Sequence, residues 1–96
     1  MRTVTLVHHR VADFGAWKQV YDGFADAQRA AGVHAYHVWR KQDDPNMVVV
    51  VSVFGSPEAA QALFGSAELK GAMEQAGVDM SSLRLDYLDE AESGTL

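Results

Sequence analysis

The sequence predicts an α+β domain of element order βαββαβ, a four-stranded antiparallel sheet with both helices on one face. Three observations carry this. Runs with a strand pattern, rich in β-branched residues at 3–11 and 47–54 and alternating at 33–41 and 83–88, recur along the chain. Stretches with apolar residues three and four apart follow the first and third of these runs. The third run, Met47 to Phe54, is apolar on both sides, as befits a strand in the middle of a covered sheet.

Taken in order, TVTLVHHRV at 3–11 is the first strand. Asp13 then offers a carboxylate to the free amides of a helix predicted over 14–31. Phe14, Trp17, Val20, Tyr21 and Phe24 line one side of that helix, and Gly32 supplies the left-handed residue that stops it. VHAYHVWRK at 33–41 is the second strand, and Gln42-Asp43-Asp44-Pro45-Asn46 reads as the turn of a hairpin into the third. Ser56-Pro57-Glu58 opens a second helix: Ser caps, Pro fits the first position, and Glu meets the positive dipole end. This helix breaks at Gly65, restarts behind Ser66 over 67–76, and stops at Gly77. LRLDYL at 83–88 alternates as the last strand.

The 96 residues make one domain, expected over 1–90, with 91–96 a frayed acidic tail. The absence of cysteine excludes disulfides and thiolate chemistry. A net charge of −5 with scattered Lys and Arg argues against nucleic acid or an anionic membrane as partner. No apolar run approaches the roughly 20 residues of a membrane span. The strand begins directly after Met1-Arg2, so no signal peptide is expected and a cytoplasmic location is the default. With helices on one face only, the doubly apolar third strand needs another cover. A second sheet from a two-fold partner would supply it, so a homodimer is expected.

Several stretches resemble small bacterial proteins of the dimeric α+β barrel superfamily. They are His9-Arg10-Val11-Ala12-Asp13-Phe14 with Ala16-Trp17-Lys18 and Tyr21-Asp22, Ala31-Gly32-Val33, Asp44-Pro45-Asn46, and Phe54 to Ala60 leading to Ser66-Ala67-Glu68-Leu69. That superfamily has a ferredoxin-like fold. It includes antibiotic biosynthesis monooxygenase-like proteins, stress-responsive barrel proteins and small polyketide cyclases. The resemblance implies a cavity between sheet and helices, and enzymes that commonly work with no metal or organic cofactor.

The candidate chemistry rests on histidine and aromatic residues. Imidazole titrates near neutrality and can move protons without a cofactor. His8 and His9 are adjacent on a strand and point to opposite faces, His8 with Val4 and Leu6, His9 with Thr3, Thr5, Val7 and Val11. Neither set marks the helix face, and the resemblance favours His9. On the second strand His37 shares a face with Ala35 and Trp39, and Tyr36 shares the other with His34 and Val38. His9 and His37 are the expected acid–base residues. Trp17, Tyr21, Phe24, Tyr36, Trp39 and Phe64 are the expected aromatic lining. All of these could equally be core or interface residues. No HxH or HExxH pattern points to a metal. The expected function is a cofactor-independent cyclase or isomerase acting on an apolar, polyketide-like or aromatic small molecule. The alternatives are a cofactor-free monooxygenase and a non-enzymatic ligand-binding or stress-responsive dimer.

Overall fold

A computed structural model describes residues 2–96. The elements run β1 (Thr3–Val11), α1 (Phe14–Gly23), α2 (Ala25–Ala30), β2 (Val33–Lys41), β3 (Asp44–Phe54), α3 (Pro57–Phe64), α4 (Ala67–Gln75) and β4 (Val78–Asp89). The strands form one antiparallel sheet in the order β2-β3-β1-β4. The predicted ferredoxin-like arrangement is what forms.

The helix signals act as their chemistry dictates. Asp13 accepts from the Ala16 N–H at 2.8 Å, Ser56 from Ala59 and Ser66 from Leu69. Gly32 and Gly77 take φ of +97° and +77°, the left-handed conformation that ends a helix before a strand. The helix expected over 14–31 is broken. Phe24 leaves helical geometry, its N–H shared between the carbonyls of Val20 and Tyr21. The apolar stripe runs on through the break, so periodicity alone does not reveal it.

Two strands are longer than their patterns. The hairpin turns on Gln42-Asp43 alone, and Asp44-Pro45-Asn46 belong to β3. Asn46 Oδ1 accepts the Phe14 N–H, tying the start of β3 to α1. β4 begins at Val78 because Val78 and Asp79 pair with Val11 and Arg10, although Asp79, Ser81 and Ser82 are poor strand formers. The β1–β4 register jumps from His8↔Arg84 to Arg10↔Asp79. The Arg10 N–H freed by this bulge donates to Ser82 Oγ at 2.8 Å. His9 sits at the jump.

The sheet has two unlike faces. Thr3, Thr5, Val7, His9 and Val11 of β1, with Val48, Val50, Ser52 and Phe54 of β3, are buried under the helices. The core joins Val11, Val48, Val50 and Ala76 to Trp17. The alternate residues, Val4, Leu6 and His8 with Met47, Val49, Val51 and Val53, are only partly covered. Trp39 stays 53% exposed on the same side, its ring stacked on His37 at 5.3 Å.

Candidate functional site

A cavity lies between the helix face of the sheet and the four helices. Val7, His9, Val50 and Ser52 form its floor; Trp17, Tyr21, Phe24 and Gln28 close one side, and Phe64, Leu69 and Met73 the other. About 70 Å³ of it is open to the centre of a water molecule. The walls are almost wholly apolar, so the few polar groups on them decide what it can bind.

Trp17 organises the aromatic wall. Its ring stacks on Tyr21 at 4.9 Å and on Phe14 at 5.7 Å, and lies 5.6 Å from the His9 imidazole. Opposite, Phe64 packs against Phe54 and edge-on to Tyr87, each at 6.3 Å. Such offset and edge contacts fix ring orientation as well as burying area.

Two polar atoms of the lining residues stand out. His9 Nδ1 and the Tyr21 hydroxyl are buried with no hydrogen-bond partner. An orphaned buried polar group costs on the order of 1–3 kcal/mol, so natural cores rarely keep one without a use. Burial pushes the His9 imidazole down to about 4, helped by the neighbouring His8 and opposed by a backbone contact with Val48. His9 is therefore a neutral base at physiological pH. Burial pushes the Tyr21 phenol up to about 12, so it remains a proton donor. The neighbouring Gln28 side chain opposes that shift. An unpartnered acceptor and an unpartnered donor thus belong to two residues that line one cavity.

The predicted residues divide. His9, Trp17, Tyr21, Phe24 and Phe64 come together around the cavity. His37 and Trp39 do not. They pair with Val51 and Val49, whose side chains point away from the helices, so neither reaches the cavity. Tyr36 shares the helix side but is 57% exposed, edge-on to Tyr21 at 5.8 Å, and lines an outer recess. Sequence reasoning passed over Gln28 and Ser52. Gln28 continues the 17-21-24 spacing, and Ser52 is the polar residue on the buried parity of β3. A polar residue at an apolar position was the available signal in both cases.

Among the described residues no group of three or more His, Asp or Glu side chains is placed to hold a metal, and no helix is long and apolar enough to cross a membrane.

Residues 11–75 match the antibiotic biosynthesis monooxygenase family. Comparison with the curated proteins finds no match. Among solved structures, a single-residue variant of SnoaB, a cofactor-independent oxygenase from Streptomyces nogalater, superposes with a TM-score of 0.77 at 11% identity, over 96% of this chain and 95% of that one. Rv0793 from Mycobacterium tuberculosis gives 0.72 at 15% identity, over 99% and 100% of the two chains. A conserved protein from Methanosarcina mazei Go1 gives 0.71 at 11% identity, over 92% of each.

Proposed function

The chain belongs to the antibiotic biosynthesis monooxygenase family, and from that premise we propose that it is a cofactor-independent oxygenase of electron-rich phenols, working in the His9–Tyr21 cavity as a homodimer. The observation that carries this is the pair of unpartnered groups, His9 Nδ1 and the Tyr21 hydroxyl, on two residues that line an otherwise apolar cavity. The family match and the likeness to an oxygenase that needs no cofactor favour this over the cyclase or isomerase expected from the sequence.

With its proton on Nε2, His9 accepts the phenolic proton at Nδ1. The phenolate made beside it offsets about half of the cost of this uphill transfer, since unit charges 4 Å apart attract by about 4 kcal/mol at an effective dielectric of 20. Tyr21 donates to the oxygen bearing the charge, and the aromatic wall holds the ring. The phenolate passes one electron to O2, and the resulting radicals combine at the ring carbon para to the oxygen. Breaking the O–O bond then gives a quinone, one oxygen staying on carbon and the other leaving as water. The balance is phenol plus O2 to quinone plus water, so the substrate supplies all four electrons. The partly covered apolar face of Val4, Leu6, Val49, Val51, Val53 and Trp39 supports pairing with a second copy.

The test is oxygen uptake with 1-naphthol and no added reductant. One O2 consumed per 1,4-naphthoquinone formed, with one atom of ¹⁸O2 in the product, is expected. Turnover that persists without oxygen and gives a rearranged ring would return the cyclase or isomerase.

A further inference from the structure

A second recess adjoins the cavity and shares two of its residues, Tyr21 and Gln28. They form the partition between an inner apolar space and an outer one. About 210 Å³ of the outer recess is open to the centre of a water molecule, and its lining is of a different kind: Asp22, Gln28, Arg29, His34 and Tyr36. We propose that this recess is a subsite for an uncharged, hydroxyl-rich substituent, a sugar-like ring, carried by a substrate whose aromatic end occupies the inner cavity. The proposal rests on the cavity being the binding site and adds the chemical class of the rest of the molecule.

Three features support the class. First, the recess mixes donors and acceptors. Asp22 and Gln28 can accept, while Gln28, Arg29, His34 and Tyr36 can donate, and a hydroxyl needs both. Second, its charges already have partners. Lys18 bonds Asp22, and Arg29 Nη1 bonds Asp26 Oδ1 at 2.7 Å, so the local charge is close to balanced and an ionic substituent gains little. Third, the Tyr36 ring, 57% exposed, offers a broad apolar surface beside the polar groups, the combination that suits the carbon face of a sugar ring.

The backbone also treats the recess as a built place. The β2–β3 register shifts between Val33↔Phe54 and Ala35↔Val53, so His34 is the extra residue of a bulge. Its imidazole lies against Gly55, where a Cβ would come within 3.0 Å of Nε2. Any larger residue at 55 would force the ring to move. Bulges of this kind re-aim one side chain at the rim of a sheet, and here His34 borders both this recess and the neighbouring groove lined by Arg2, Gly55 and Glu90.

Binding to the intact protein tests this, measured by calorimetry with three probes that share one phenolic ring or its ether. They are 4-methoxyphenol, 4-hydroxyphenyl β-D-glucopyranoside and 4-hydroxyphenylpropionate. The glucoside is expected to bind about tenfold tighter than 4-methoxyphenol, the worth of one or two net hydrogen bonds. Arg29→Ala and His34→Ala, both outside the buried core, should erase that gain and leave 4-methoxyphenol binding unchanged. Equal binding of glucoside and 4-methoxyphenol would overturn the subsite while sparing the cavity. Tighter binding of the propionate than of the glucoside would overturn the uncharged class. Failure of all three probes to bind would overturn the cavity reading and the subsite with it.

Discussion

The two faces of the sheet are built from the same strands and differ in what they do with polar groups. On the helix side Thr3, Thr5, His9 and Ser52 are buried among apolar residues, and His9, with an unpartnered ring nitrogen, lines the same cavity as Tyr21, whose hydroxyl is also unpartnered. On the other side Val4, Leu6, Val49, Val51 and Val53 make an apolar surface under no helix, with His37 stacked on Trp39 at its edge. A folded chain puts up with orphaned polar atoms where a ligand will satisfy them, and with exposed apolar area where a partner will cover it. On the proposed reading one face serves chemistry and the other association, although His8 Nδ1 on the open face is unpartnered too.

The sharpest way to break this comparison is to place the same charge one residue apart on β3. Val50→Asp puts a carboxylate into the helix-side core and should unfold the domain, read as loss of the cooperative thermal transition. Val49→Asp should leave the transition in place and convert a dimer to a monomer, read by sedimentation at micromolar concentration. If Val49→Asp leaves the dimer intact, the open face is not the interface.

Next in size is a pH effect confined to the buried face. The folded His9 sits at about 4, below its unfolded value of 6.5, so the unfolded chain binds the extra proton between these limits. Stability from keeping His9 neutral is fully present above pH 6.5 and is lost as pH falls toward 4, by about 3 kcal/mol in all. Urea midpoints of the wild type and His9→Phe, compared at pH 7 and pH 4, should differ in their drop by that amount. Parallel drops would mean His9 titrates normally.

Tyr21→Phe removes one cavity donor and keeps the stacked ring. Turnover should fall about tenfold while the melting temperature holds or rises, because an orphaned hydroxyl leaves the core. A fall in both would make Tyr21 a structural residue. The smallest expected effect lies at the helix break. A Cβ at Gly23 meets nothing within 4 Å, so Gly23→Ala should stabilise by about 0.5–1 kcal/mol, read from the urea midpoint.

Much of this was legible in the sequence because local signals agreed with one another. Asp13, Ser56, Ser66, Gly32 and Gly77 each act as their chemistry requires. The faces of β1 were harder. Its buried side carries Thr3, Thr5 and His9, while its partly covered side carries Val4 and Leu6. With apolar residues on both sides the alternation that normally assigns a face disappears, so parity separated His8 from His9 without saying which was inside. For β2, His37 with Trp39 and His34 with Tyr36 are alike in polarity, and only the register against β3 places His37 outside the cavity. The bulges opposite His9 and at His34 left no local trace, since they arise from pairing between distant strands.

The direct test of the division between the faces is oxygen uptake with 1-naphthol by the wild type, His9→Phe and His37→Phe, each checked for its folding transition. The account predicts a loss of about 10²- to 10⁴-fold in His9→Phe, the usual worth of a positioned proton acceptor, and turnover within a few fold of wild type in His37→Phe. Full activity in His9→Phe, or its loss in His37→Phe with the fold intact, would contradict it.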